Sequence, residues 1–201
     1  LTQGTTYKIV YYYPENFDLK KSVDSILNYI NSIFSIYNKE SLVSKLNEEN
    51  DTILIENKDL LYLLKLSFKI NRITDGSFDI TLQPLINAYG FGPEKKIEKI
   101  DSCKTDSIKK YTGMDKIMIQ DNYLIKFCKN TKIDLNAIAQ GYTCDVLANF
   151  FDSLGIKDYL IEVGGEIKVK GLNPKRRKWV IGIDKPDENN LIPGQDIKSI
   201  I

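Results

Sequence analysis

The chain has 201 residues, 42% of them hydrophobic and 27% charged, a globular balance that excludes a disordered chain and, at ~100–200 residues per domain, leaves room for one domain. Lysine and arginine (28) nearly match aspartate and glutamate (27), and a net charge of +1 argues against a general nucleic-acid binder. There is no histidine, so no His-based metal site, Ser-His-Asp triad or Cys-His pair can be built from these residues, and no apolar run reaches membrane-spanning length.

Residues 6–13, β-branched and aromatic, predict a strand that ends at Pro14, with Tyr11-Tyr12-Tyr13 at an edge or half-buried. Leu19, Val23, Ile26, Leu27, Ile30, Ile33 and Phe34 then fall on one stripe at helical spacing, over about four turns. A polar stretch over 37–51 holds a short helix carrying Leu42, Val43 and Leu46, with Ser41 as its N-cap. Asn57 or Asp59 opens a second amphipathic helix through Leu60, Leu61, Leu64 and Phe68, which ends near Thr74-Asp75-Gly76. Residues 75–93 carry Gly76, Pro84, Gly90, Gly92 and Pro93 among aromatic residues. They read as irregular, too apolar for a solvent loop and too broken for a regular element.

A helix over 103–112 is expected to stop at Gly113, and residues 116–119 and 123–127 to form a hairpin across Asp121-Asn122. A helix over 139–154 turns Val146, Leu147, Phe150 and Leu154 inward and ends at Gly155. Three strands follow, over 159–163, 166–170 and 178–184, joined by Gly164-Gly165 and by residues 171–177. The expected fold is α+β, a single domain over 1–201 with mainly antiparallel sheet and packed helices. The start at Leu1, without methionine or signal segment, and the stop at Ile201 inside an element lead us to expect a fragment, incomplete at its C-terminus. Cys103, Cys128 and Cys144 are scattered, form no CxxC pair, and read as small core or surface thiols.

Four segments carry residues able to do chemistry. In Asp75-Gly76-Ser77-Phe78-Asp79 a positive-φ glycine can turn neighbouring N–H groups towards one phosphate, Phe78 can face an aromatic ring, and Asp79 can hold the loop by accepting backbone N–H bonds. The same pattern also fits a helix end and a turn with Phe78 in the core. In Pro84-Leu85-Ile86-Asn87-Ala88-Tyr89-Gly90-Phe91-Gly92-Pro93, glycines alternating with aromatics suit a planar heterocycle or a well-packed connection. In Ile133-Asp134-Leu135-Asn136-Ala137-Ile138-Ala139-Gln140-Gly141-Tyr142 an extended segment enters a helix whose N-terminus favours an anion, with Asp134 and Asn136 as candidate caps. Gly141, in the first turn, costs ~1 kcal/mol against Ala, which calls for either a ligand close to that backbone or tight packing on a strand. Glu162-Val163-Gly164-Gly165-Glu166 reads as a hairpin turn that can also line a ligand.

Tyr37, near the end of the long helix, can stack on a ring or sit at the rim of a core. Lys175-Arg176-Arg177-Lys178 lacks interleaved aromatics and reads as a solvated hairpin tip rather than a nucleic-acid patch. There is no GxGxxG and no GxxxxGK[ST].

Taken in order, these motifs resemble the ApbE family of flavin transferases, once described as thiamine-biosynthesis lipoproteins. Thr2-Gln3-Gly4-Thr5 is similar to the family's TMGT segment, Tyr37 and Ser41 to its Y-x-x-x-S pattern, and residues 74–79 with 84–93 to its TDGxFD…PLxxxWGFGP signature, with Tyr89 in place of Trp. Residues 134–145 resemble DLGAIAKGYAxD, with Gln140 in place of Lys, and Gly164-Gly165 with Trp179 and Pro186 resembles the region that follows. The resemblance implies a Mg²⁺-dependent enzyme that transfers FMN from FAD to a threonine side chain of a target protein and releases AMP. The alternatives are an FAD pyrophosphatase and a non-catalytic FAD-binding lipoprotein. It implies FAD contacts from Thr2, Gln3, Gly4, Tyr37, Gly76, Ser77, Phe78, Asp79, Asp134 and Gln140, and a metal ligand from the backbone carbonyl near Ala137. The family's histidine-containing segment and further metal ligands, an Asp and a Thr, are expected beyond Ile201. The implied partner is an acceptor protein of the membrane-redox-subunit kind. The implied location is outside the cytoplasmic membrane, tethered by an N-terminal lipid.

Overall fold

Helices α1 (Lys20–Phe34) and α6 (Asn136–Ser153) run through both halves of the hydrophobic core and join them. In one half, Val23 and Leu27 of α1 meet Leu147, Phe151 and Cys144 of α6 and the inner face of a sheet, Tyr159, Ile161 and Val163. In the other, Ile30, Ile33 and Phe34 meet Val43, Leu60, Leu63, Leu64, Leu124, Ile133 and Ala139. Ile26 touches both. The structure, a computed structural model, describes residues 4–13, 18–93, 102–187 and 194–201.

The first sheet is antiparallel with order β1-β5-β6, from β1 (Tyr7–Tyr12), β5 (Asp158–Val163) and β6 (Glu166–Lys170). Strand β5 alternates buried and half-buried residues, as a central strand packed on one face by α6 must. β1 is an edge, and Tyr12 is exposed there. Gly164 and Gly165, both at positive φ, make the β5–β6 hairpin. The second sheet has order β2-β4-β3, with β2 (Thr52–Leu54), β3 (Ile117–Gln120) and β4 (Tyr123–Lys126), and the hairpin turns at Asp121. Helices α2 (Leu42–Glu48) and α3 (Lys58–Ile73) start where their caps are: Ser41 accepts from Ser44 N–H and Asn57 from Leu60 N–H.

Several expectations are corrected. Residues 75–93 contain a helix, α4 (Gln83–Ala88), which tolerates Pro84 because proline sits in the first turn, where its missing N–H has no helical partner. The next helix, α5 (Ser102–Lys109), ends before Gly113, which instead caps a 3₁₀ turn over Met114–Lys116. Residues 178–184 are not a third strand beside β6. Asp158 takes the Leu172 N–H at 2.7 Å and turns the chain away, and Trp179 Nε1 donates to Lys170 O at 3.1 Å. Only β7 (Gly182–Asp184) is a strand, and it pairs with β8 (Ile197–Ile200), which the sequence reading did not assign. Helix α6 begins at Asn136, three residues before the expected start.

Between the two halves, Asp59 at the start of α3 accepts from Tyr142 Oη of α6 and from Tyr29 Oη of α1, each at 2.7 Å. One carboxylate thus ties three helices, and its negative charge also suits the helix N-terminus. Burial and that bond push the Tyr142 hydroxyl's pKa up, so it stays a donor at any ordinary pH. Asp59→Ala should lower the unfolding free energy by about 1–2 kcal/mol, read by urea denaturation, because both phenols lose a charged acceptor.

Candidate functional site

Residues 131–135 form a mostly buried strip that belongs to no sheet or helix. Its peptide groups must therefore find partners elsewhere. Asp134 N–H donates to Ile80 O at 2.8 Å, which brings the strip alongside residues 77–80. Around that junction lies a cleft of about 280 Å³ lined by Ser77, Phe78, Asp79, Leu82, Ile86, Asp134, Asn136 and Ala137. Two segments far apart in sequence, both singled out for chemistry, meet there.

Asp134 is only 8% exposed. Its Oδ1 accepts from Asn136 N–H at 2.8 Å, just ahead of α6, so it serves the helix start from the position before Leu135; neither it nor Asn136 is the N-cap. Desolvation raises its pKa above the usual carboxylate value, and the Asn136 N–H only partly opposes this. Ile138 and Ala139 N–H groups are taken by Leu135 O, whereas Ala137 N–H has no partner among the described residues and sits on the cleft wall. The Ala137 carbonyl lies in the first helical turn, where backbone oxygens run along the axis towards the residue four on, so a metal bound by it shares that oxygen with the helix ladder.

The Gly76 segment reaches the cleft differently from the expected nest. Gly76 N–H donates to Asn71 O, Ser77 N–H to Thr74 O, and Phe78 N–H to Thr74 Oγ1. With Asp75 N–H on Arg72 O this is a Schellman end to α3, so these donors are spent on the turn and do not converge on an anion. The segment presents side chains instead. Asp79 does hold its loop: Oδ1 accepts from Thr81 N–H at 2.7 Å and from Thr81 Oγ1 at 2.6 Å. Phe78 is half-buried against the core while lining the cleft.

A second cavity, of about 480 Å³, is lined by Tyr37, Ser44, Asn47, Gln83, Pro93 and Lys132, among others. Leu82 faces the first cavity and Gln83 the second. Tyr37, 60% exposed, directs its hydroxyl at Phe91 O, 3.4 Å away, so the aromatic-glycine segment and the tyrosine do meet. The close approach at Gly92 is to Asn87, whose side chain a Cβ would strike.

Gln140 lies one turn along α6 from Ala137. It packs against Gly164: a Cβ there would fall 2.6 Å from Gln140 Nε2 and 2.9 Å from Thr5 Cγ2. Gly4, at positive φ, stands beside Thr5, so the N-terminal segment, Gln140 and the Gly164 turn converge. Thr2 and Gln3 lie outside the described residues. Gly141 is in the second turn of α6, not the first, and a Cβ there would meet nothing within 4 Å, so strand packing does not explain it. Sequence reasoning missed Asn47 and Gln83, which are bonded to each other at 2.8 Å and both line the second cavity. The signal available was an asparagine, a poor helix former, near the end of a short helix. Among the described residues no group of three or more His, Cys, Asp or Glu could hold a metal.

Residues 3–201 match the ApbE family. The FAD:protein FMN transferase of Vibrio cholerae is 34% identical over 191 residues, which cover 92% of this chain and 57% of that protein. The FAD:protein FMN transferase of Haemophilus influenzae is 32% identical over 197 residues, with the same coverage of 92% and 57%. Among solved structures, the flavin transferase ApbE from Vibrio cholerae superposes with a TM-score of 0.88 at 34% identity, over 92% of this chain and 62% of that one. The apo flavinyl transferase ApbE of Pseudomonas stutzeri gives 0.84 at 28%, over 91% and 63%. The chain thus spans somewhat more than half the length of the curated relatives it matches.

Two outcomes test this geometry. Asp134→Asn keeps the acceptor for Asn136 N–H and removes a desolvated charge. A raised carboxyl pKa favours the fold below the unfolded value of 3.8, and that contribution is lost as pH rises through the folded value. Thermal melts should therefore show the variant more stable at pH 7, with the gain vanishing below the ordinary carboxylate range. Gly141→Ala should add up to ~1 kcal/mol, whereas Gly164→Ala, strained at φ +61° and colliding with Gln140, should lose ~1–2 kcal/mol or more.

Proposed function

Because the chain belongs to the ApbE family, we propose that the protein is an FAD:protein FMN transferase: it cleaves FAD at the pyrophosphate, releases AMP and joins FMN through its phosphate to a threonine hydroxyl of an acceptor protein. The threonine oxygen forms a bond to the FMN phosphorus, the bond to the bridging oxygen breaks, and AMP leaves with that oxygen. The hydroxyl proton goes to solvent or to a base.

The observation that carries the reading is the cleft where a desolvated Asp134 and Asp79 meet the start of α6. A phosphoryl centre needs alignment and charge neutralisation more than a protein nucleophile. The Ala137 N–H, unpartnered among the described residues, and the positive end of α6 favour a phosphate oxygen. Asp134 is a nearly buried carboxyl whose pKa desolvation pushes up, and a cation beside it would offset that cost. The donor set fits Mg²⁺, a hard ion that takes one or two carboxylates together with substrate phosphates rather than an all-protein cage. When bound, Mg²⁺ supplies charge neutralisation on the diphosphate. Asp134 and Ala137 would hold it, with further ligands from the part of the family fold not covered by these residues.

The second cavity, with Tyr37 at its mouth, offers a flat aromatic face for a ring of the nucleotide, and Phe78 offers another in the cleft. Gly4, Gln140 and the Gly164 turn close the far side of the α6 start. Gln140 contributes hydrogen bonds without the positive charge of a lysine. The reading carries with it the extracytoplasmic, lipid-tethered location of a lipoprotein.

Incubating the full-length protein with FAD, Mg²⁺ and an acceptor protein should yield an acceptor that is fluorescent on a denaturing gel, heavier by one FMN moiety, and AMP in equal amount. Chelation of Mg²⁺ should abolish both. Free FMN and AMP without labelled acceptor would replace transfer by hydrolysis, and unchanged FAD would leave only binding.

A further inference from the structure

Asn47 sits near the end of α2 with its side-chain amide paired to both peptide groups of Ile133: Ile133 N–H donates to Asn47 Oδ1 at 2.7 Å, and Asn47 Nδ2 donates to Ile133 O at 2.8 Å. The arrangement copies a hydrogen-bonded pair across an antiparallel ladder, with a side chain in place of the neighbouring strand. The second hydrogen of Nδ2 goes to Gln83 Oε1 at 2.8 Å, which fixes the amide's orientation, since Nδ2 faces two acceptors and Oδ1 a donor. The helix end that carries Asn47 is itself held. Lys126, nearly fully buried, donates from Nζ to Leu46 O at 2.6 Å and to Glu49 O at 3.0 Å.

Ile133 is fully buried, and Asp134 follows it directly. On its other side Asp134 is pinned by its own N–H to Ile80 O. We propose that Asn47 is a positioning residue for the flavin-nucleotide site: its two-bond grip on Ile133 sets where the Asp134 carboxyl stands in the cleft. The inference rests on the role given above to Asp134. Only asparagine meets the requirement. Aspartate lacks the donor, alanine and leucine lack both groups, and glutamine is one methylene too long for the same pairing. Once the grip is removed, the buried peptide groups of Ile133 must move to find partners, and small displacements of a group that positions substrate weaken the site steeply.

The test is FAD affinity in the full-length protein with Mg²⁺ present, read by flavin fluorescence. Asn47→Ala should raise the dissociation constant about tenfold or more. Asn57→Ala, which removes the α3 cap, should lower the melting temperature comparably and leave FAD affinity unchanged. On an Asp134→Asn background, Asn47→Ala should weaken binding by less than about threefold, because both changes act through one carboxyl. If Asn47→Ala does not fold, Asn47→Asp, which keeps the acceptor for Ile133 N–H and loses the donor, should show the same coupling. Wild-type affinity in the Asn47 variants beside a defective Asp134→Asn overturns the inference alone, as do losses that multiply in full. Wild-type affinity in Asp134→Asn overturns the role proposed for that carboxyl, and this inference with it.

Discussion

The architecture depends on a buried strip that belongs to no sheet or helix. Residues 131–135 are largely buried, so every peptide group that water would otherwise serve needs a partner from the surrounding chain. Thr131 N–H uses Cys128 O, Thr131 Oγ1 uses Tyr111 O at 2.8 Å, Ile133 uses the Asn47 amide, and Asp134 uses Ile80 O. Each partner comes from a different segment. The strip is therefore a point where α2, the turn after α3, the segment after α5 and the start of α6 are held in one register. A conventional ladder would fix it against one or two neighbours; here a side chain and loops perform that task. Displacing any of them exposes an unpaired group in an apolar setting, which costs about 1–3 kcal/mol.

The two core halves meet the same requirement through α1 and α6. Each helix contributes one stretch of its apolar stripe to each half, so neither half can shift without moving the other. Asp59 adds a polar tie on the surface side, and Gly164 allows the β5–β6 turn to pack against Gln140 at the opposite end of the site. The start of α6 is thus fixed from several directions while its first turn opens on the cleft.

What the sequence made legible is what short-range chemistry determines. Ser41 and Asn57 are caps because a small polar side chain ahead of an apolar stripe has few other uses. Gly164-Gly165 is a hairpin turn because both residues take positive φ, and Asp121-Asn122 turns for a related reason. The four chemistry-bearing segments were also visible, and the fold brings them together. What was not legible is direction and partnership over distance. Positive φ at Gly76 could be anticipated, but not that its N–H turns back to Asn71 and closes the helix end. Residues 178–184 had strand-like composition, yet their pairing is set by Asp158 capturing Leu172, a contact no periodicity reports. The six-residue α4 is too short for a helical period to stand out. Asn47 stood out only as a poor helix former near a helix end, which does not tell that its amide pairs with Ile133, 86 residues on.

Asp134 shows why such a strip suits a site for anions and cations together. A desolvated carboxyl whose main partner is one backbone N–H costs the fold free energy, and burial accordingly pushes its pKa up. The surrounding bonds hold its backbone in place, with its own N–H on Ile80 O and its predecessor on the Asn47 amide, and the carboxyl itself is held by the Asn136 N–H. In the proposed function a bound Mg²⁺ would supply the positive charge that this carboxyl lacks, offsetting part of its desolvation cost. Leu82 lines the cleft and the adjacent Gln83 lines the second cavity, so one short backbone run touches both.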